Sequence, residues 1–530
     1  MNHNRQLGYC VGILQPNEVT FTSFVPPKMG EFVVISYTEG GREVRVLGMV
    51  SHIERFDRFL PEDNNPAHVE SMRKIYNING LFKARATLLG EMKERRLERL
   101  KYPPMPGAQV FSAPPELLRE IFGAEDELSS ARVGTLLTSP EVEVGVDINQ
   151  IVSRHLAVLA VTGGGKSNAV AVLLEEIARR NGTVLVIDVH GEYLNSDFRN
   201  GRGKVVTNVI DTQIDLQNLS ASDIAAMCNI DYEHSSRQYY VMMELVKCVK
   251  EKRRKTTVMN AADVDPFSPE PLPRKPFIDD LIDTLHDLIA HRRGGKSDND
   301  LEEIPCDFVN TTRPDELIGT YIRLMNLKSK IGDRLKDNVP SFVEILGRRG
   351  IGKINVLDLR GLDYEAMDVI VSHILLNALK ERKRWVQERE GLLPVPILVV
   401  VEEAHIFAPK GASTKTKYAL SKVAREARKF GLGIVLVSQR PKGLDENVLS
   451  QMNNWIIMRI VEPEDQRHVQ RASETLSAEL LQYLPALNPG EAILIGPFVR
   501  VPLLVKFRLS SARKGGHDIN AVEEWMKLGS

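Results

Sequence analysis

Residues 160–167 read Ala-Val-Thr-Gly-Gly-Gly-Lys-Ser. They close an apolar run, 155–161, and open a helix-like stretch, 167–180. Strand, glycine turn and helix N-terminus in that order make a phosphate-binding loop, in which backbone N–H groups close around a triphosphate. In this reading Thr162, Gly163, Gly164, Gly165 and Asn168 line the nucleotide. Lys166 reaches the β- and γ-phosphates, and the Ser167 hydroxyl ligates Mg²⁺. One position departs from G-x-x-x-x-G-K-[ST]: the first glycine is Ala160. The half of the motif that does the chemistry is intact, so the variant reads as tolerated. Far downstream, residues 397–403 read Ile-Leu-Val-Val-Val-Glu-Glu. Five consecutive apolar residues suit a buried parallel strand, and two carboxylates at its C-terminal end suit a metal-and-water site. Glu402 takes the metal side, through water, and Glu403 the role of catalytic base. The pair of motifs predicts an NTPase that uses ATP and Mg²⁺.

The rest of the chain is read around these two anchors. A length of 530 residues calls for two or three domains. With 43% hydrophobic and 26% charged residues, the composition is that of an ordinary globular protein and excludes wholesale disorder. Net charge is −1, so a nucleic-acid site must be a local patch or an assembled channel. The four cysteines, Cys10, Cys228, Cys248 and Cys306, form no C-x-x-C pair. They argue against a zinc or disulfide framework and for a reducing, cytoplasmic setting. The first residues lack the basic-then-apolar layout of a signal peptide. No run approaches the roughly 18 apolar residues of a membrane span.

Residues 7–14, 18–24, 31–37 and 43–56 are rich in Val, Ile, Phe and Tyr and are separated by turn residues. With later strands at 81–89 and 109–111, they predict a small β-barrel over residues 1–140. A polar loop is expected at 61–68 and a short charged helix at 91–99. From about 148 the pattern becomes strand–helix alternation, which predicts a parallel sheet with helices on both faces. The first part of this core is placed at 141–212 and the second at 346–507. Between them, 213–345 is helical and polar and reads as an inserted helical bundle. Its segment 253–275, with four prolines, is expected to be a mobile loop. Residues 508–530 form a tail.

Further side chains fit the same chemistry. Gln439 follows another apolar strand, where it can sense the γ-phosphate. Arg425 and Arg428 share one helix face, and a guanidinium on the γ-phosphate stabilises transition-state charge. Such arginines on a helix surface are otherwise solvated. Asp188 closes a second strand, at Asp-Val-His-Gly-Glu-Tyr, as a candidate second-shell group for Mg²⁺. Lys410, Lys415 and Lys417, with Lys422, follow the Glu402–Glu403 strand. In a ring such a loop can face a central channel and touch DNA phosphates.

Together, Thr162–Asn168, Asp188–Tyr193, Val401–His405, Ala424–Gly431 and Ser438–Pro441 resemble the HerA branch of the HerA/FtsK superfamily, with five motifs in the family's order. The resemblance implies a RecA-like P-loop ATPase core with an N-terminal barrel and a helical-bundle insertion. It also implies a homo-hexameric ring that translocates on double-stranded DNA, and a NurA-type nuclease as partner in end resection for recombinational repair. Arg428 matches the family's arginine acting in trans, and Arg154 a further arginine before the loop. The family's tail braces a neighbouring subunit, a role that 505–516 would take. A rival reading is a ring scaffold that assembles or activates a partner nuclease without moving on DNA. Stimulation of ATP hydrolysis by double-stranded DNA discriminates the two.

Overall fold

The computed structural model describes residues 5–57, 60, 65–75, 80–93, 96–123, 128–262, 275–292, 312–512 and 525–526. The larger sheet has eleven strands among these residues. Its order is Thr207–Asp211, Ile354–Asp358, Thr183–Asp188, Ile397–Val401, Leu432–Ser438, Leu156–Leu159, Asn454–Ile457, Glu491–Ile495, Leu503–Phe507, Ser130–Leu136 and Glu143–Asp147. The first seven run parallel and the last four continue antiparallel. Every residue of Leu156–Leu159, Ile397–Val401 and Leu432–Ser438 is buried, as unbroken apolar runs in a doubly covered parallel sheet require.

The N-terminal sheet runs Glu18–Ser23, Gln6–Cys10, Gln109–Ser112, Phe32–Glu39, Arg42–Phe56, Leu81–Lys93 and Arg96–Glu98. Pairing of Glu18–Ser23 with Leu81–Lys93 closes it into a barrel. Leu7, Phe21, Ile35, Val46 and Val110 fill its interior. Alternate residues, among them Phe32, Val34, Leu47 and Met49, join the core of the ATPase domain. The barrel is thereby seated on that domain, with Phe32 against Phe122 at 4.8 Å between ring centroids.

Four sequence expectations are corrected. The boundary at 140 falls inside the larger sheet, because Ser130–Leu136 pairs with Leu503–Phe507 there. Of the charged stretch expected as a helix at 91–99, residues 91–93 and 96–98 are strand and pair antiparallel, with Lys93 on Glu98. Alternating charge suits an exposed edge that must not pair further. The loop expected at 253–275 begins as helix, since Tyr232–Ala262 runs through Arg253, whose guanidinium holds Asp280 and Asp337, both at 2.6 Å. Residues 263–274 lie outside the described set. Cys248 is disulfide-bonded, whereas Cys10 and Cys228 are free thiols.

The insertion comprises Ala221–Met227, Tyr232–Ala262, Phe277–Arg292 and Pro314–Ile331. Val241, Leu245, Val249, Leu281, Leu285, Leu317 and Leu324 recur at helical spacing and are buried. Among the described residues, no helix is long and apolar enough to cross a membrane.

Candidate nucleotide site

The glycine loop sits between Leu156–Leu159 and the helix Lys166–Arg179. Gly163 and Gly165 have φ of 78° and 99°, the left-handed region that glycine enters without strain. A Cβ on Gly165 would also lie 2.8 Å from the backbone nitrogen of Gly490. That close approach is real packing: the Gly490 N–H donates to the Gly164 carbonyl at 3.0 Å. Ala160 is fully buried and is not among the positive-φ residues, so the departure from the motif demands no glycine backbone.

Lys166 Nζ, at the head of this helix, lies 3.1 Å from Glu403 Oε1 and 3.9 Å from Glu402 Oε2. Both glutamates are buried where Ile397–Val401 ends, beside the loop. Burial pushes the Glu402 carboxyl up to about 7, against the opposing pull of Lys166 and of a hydrogen bond from Tyr193. Glu403 adopts φ 46°, ψ 44°, a left-handed conformation costing a non-glycine residue roughly 1–3 kcal/mol. Its Oε2 is 3.3 Å from His405 Nδ1, which is also 3.3 Å from Ser438 Oγ. This oxygen receives no hydrogen bond among the described residues. Gln439 accepts a hydrogen bond from the Thr162 hydroxyl at 2.8 Å, so the strand Leu432–Ser438 delivers it to the loop.

Other candidates are placed elsewhere. Asp188 Oδ1 and Oδ2 accept from the backbone N–H groups of Gly191, Glu192 and Tyr193, so both oxygens are engaged in a turn. Asn168 points its amide at the tail, donating to the Arg508 carbonyl at 2.8 Å and accepting from Ser510 N–H at 3.0 Å. The tail is anchored on its own chain through Ala512. Arg508 pairs with Glu175 and Glu176 of the P-loop helix, each at 3.0 Å. Burial would raise Glu175, but hydrogen bonds from Ser511 and Arg508 outweigh it and hold the carboxyl below its ordinary range. Residues 513–516 lie outside the described set.

Arg154 and Arg428 stand at the far end of the sheet. Arg154 ends the helix that precedes Leu156–Leu159, and Arg428 lies in the turn Ala427–Lys429 that precedes Leu432–Ser438. These strands are parallel, with Leu156 opposite Val435, and they lead away from both arginines toward the loop. Seven residues of strand at about 3.3 Å each put Arg428 roughly 20 Å from its own phosphate loop. Arg154 is therefore not brought to its own glycine loop, and neither guanidinium makes a hydrogen bond or ion pair with the described residues of its chain. His155 fixes this end. One ring nitrogen, Nε2, donates to the Ala424 carbonyl at 3.0 Å, and Nδ1 accepts from Ile434 N–H at 3.1 Å.

Two of the three lysines expected on DNA are committed within the chain. Lys415 Nζ lies 2.5 Å from Asp223 and Lys417 Nζ 2.5 Å from Asp445. Each tethers its helix to a neighbouring element. Lys410 is exposed. Reading the sequence missed Tyr193 and His405 as neighbours of the two glutamates, and Gly490 as the roof of the loop. The first two lie inside quoted motifs, where a polar side chain next to a carboxylate was the available signal. Gly490 had none, because its contact is backbone to backbone.

A glycine loop joining strand to helix, with carboxylates from the next-but-one parallel strand facing its lysine, defines a P-loop ATPase. Family comparison agrees along the chain. Residues 7–94 match the HAS barrel domain, 131–378 the central domain of helicase HerA, and 344–495 the HerA-like C-terminal domain. The DNA double-strand break repair helicase HerA of Saccharolobus solfataricus is 32% identical over 98% of this chain and 96% of that protein. Its counterpart in Sulfurisphaera tokodaii is 33% identical, with 98% and 96% covered, and that of Pyrococcus furiosus 30%, with 98% and 97% covered. The chain belongs to the HerA helicase family, and its activity class is that of an ATP-hydrolysing helicase.

Proposed function

We propose that this protein is an ATP-driven double-stranded DNA translocase, a bipolar helicase. It works as a homo-hexameric ring with a NurA-type nuclease in DNA end resection for recombinational repair. The relatives named as double-strand break repair helicases support the repair role. The observation that carries the ring is Arg428. It is exposed, unpaired among the described residues, and at the opposite end of the sheet from its own phosphate loop. An arginine so placed meets a triphosphate only across a subunit boundary. Arg154, on the same edge, joins it there.

Within one subunit, the Gly163–Gly165 amides, Thr162 and Lys166 take the phosphates. Ser167 and, through water, Glu402 would hold Mg²⁺, being hard oxygen donors beside Lys166, and the ion would supply charge neutralisation on the phosphates. Asp188, with its oxygens on backbone amides, keeps at most an indirect place. Glu403 accepts a proton from the attacking water once phosphate displaces it from Lys166. Gln439 links the γ-phosphate position to the strand Leu432–Ser438.

The test uses wild-type protein and mixed rings. Double-stranded DNA should stimulate ATP hydrolysis, and a lack of stimulation would leave the scaffold reading standing. Mixing Arg428→Ala with Glu403→Gln subunits creates some interfaces that combine an intact arginine with an intact glutamate. Partial recovery of turnover supports action in trans, and none in rings shown to be mixed counts against it.

A further inference from the structure

The segment Asp-Val-His-Gly-Glu-Tyr at 188–193 is a built device whose purpose the nucleotide chemistry has not used. Asp188 is the last residue of its strand. Its carboxylate receives three backbone N–H groups, from Gly191 at 2.8 Å, Glu192 at 3.1 Å and Tyr193 at 2.9 Å. Three amides on one carboxylate fix the turn. Gly191 makes it tight, with φ of 80°, and a Cβ there would meet Arg360 Cδ at 2.7 Å. The turn then delivers Tyr193 into complete burial, with its hydroxyl donating to Glu402 Oε1 at 2.8 Å.

A buried tyrosine needs some acceptor, and a core residue with a satisfied hydroxyl is the ordinary case. Here the acceptor is distinctive. It is one oxygen of a buried carboxylate whose other oxygen, Oε2, faces Lys166 at 3.9 Å. A carboxyl group held by one oxygen has lost the freedom to turn about its own axis. We propose that Tyr193 is a positioning residue: its hydroxyl fixes the Glu402 carboxylate so that Oε2 is presented to the phosphate side, and Asp188 clamps the turn that carries Tyr193. Asp188 thus acts two steps from the nucleotide, through a tyrosine. This rests on the reading of Glu402 as a working group of the ATPase site.

The experiment is a double-mutant cycle on the full-length protein, read as steady-state ATP turnover across ATP and Mg²⁺ concentrations. Tyr193→Phe keeps the ring and deletes one hydroxyl. It should lower kcat roughly 10-fold or more while KM for ATP stays within about twofold, the signature of a group acting after binding. Half-saturation by Mg²⁺ should rise. Glu402→Gln should lower kcat further, and adding Tyr193→Phe to it should cost nothing more, because the hydroxyl acts only through that carboxylate. Wild-type kcat in Tyr193→Phe, or losses that multiply in the double variant, overturns the proposal while leaving Glu402 in place. Wild-type kcat in Glu402→Gln overturns the underlying site reading together with it. Should Tyr193→Phe fail to fold, Asp188→Asn carries the same cycle. A loss of kcat that vanishes in the Glu402→Gln background supports the clamp, and an unchanged kcat overturns it.

Discussion

The two ends of the strand Leu156–Leu159 are built on opposite plans. Its C-terminal end is crowded and its polar and charged groups face one another: Lys166 on Glu403, Thr162 on Gln439, Tyr193 on Glu402. Its N-terminal end is held by one neutral histidine and offers two arginines with no partner among the described residues of the chain. A site whose charges pair among themselves is ready to receive a ligand. An edge whose charges pair with nothing is ready to be received. In the proposed ring, one sheet would carry both halves of an active site, but not of the same active site.

The largest expected effect attacks the open end. Arg428→Ala should cut turnover by roughly 10³–10⁵, the range for arginine fingers, with nucleotide binding retained. Arg425→Ala, on the neighbouring turn, should stay near wild type. Equal losses in both would reduce the comparison to helix damage. Next comes the closed end. Glu403→Gln should lower kcat by roughly 10²–10⁴ with ATP binding intact, whereas Lys166→Ala should lose hydrolysis altogether. Nucleotide binding and single-turnover rates on the two variants separate these outcomes.

A smaller effect tests the histidine that holds the open end. Burial pushes His155 down to about 4, so the folded protein keeps it neutral where the unfolded chain takes up a proton. The unfolded state binds more protons between about 6.5 and about 4, so stability falls as pH is lowered through that window and levels off below it. The full shift is worth up to about 3 kcal/mol. Urea unfolding of wild type and His155→Gln should show the wild-type advantage shrinking with acid. A pH-independent difference between them would refute neutral burial.

The smallest effect concerns DNA. Lys410→Ala should lessen the salt dependence of DNA affinity by about one unit of slope. The Lys415/Lys417 double alanine variant should leave that slope alone and lower stability by about 1 kcal/mol. A changed slope in the double variant would return those two lysines to the phosphate-contacting set.

Much of this comparison was legible in the sequence, and unevenly so. The closed end announced itself because its chemistry is local: glycines, Lys166 and Ser167 are consecutive, and Glu402 and Glu403 terminate a buried strand. The open end did not. Arg154 entered through the family resemblance as a nucleotide-binding residue, and the strand Leu156–Leu159 holds it at the other end of the sheet from its own loop. The lysines of 410–417 looked free because their carboxylate partners, Asp223 and Asp445, are distant in sequence or lie across a loop. Asn168 looked like part of the loop because its neighbours are, yet the side chain of a helix's first turn can face either way. The barrel's strands were visible by alternation. That Ser130–Leu136 leaves the barrel was not, since its partner lies near the other end of the chain.

That last pairing has a consequence for how the molecule comes into being. Leu503–Phe507 bridges Glu491–Ile495 and Ser130–Leu136 in one sheet. Strands 6–112 can close their barrel as soon as they leave the ribosome, because every partner is among them. Ser130–Leu136, with Glu143–Asp147 on its outer side, must wait with an open edge while the whole insertion and the rest of the ATPase core are synthesised. The exit of Phe507 is therefore a checkpoint: a stalled ribosome short of it displays a finished barrel on an unsealed motor, with a β-edge exposed to whatever chaperone or aggregate reaches it first.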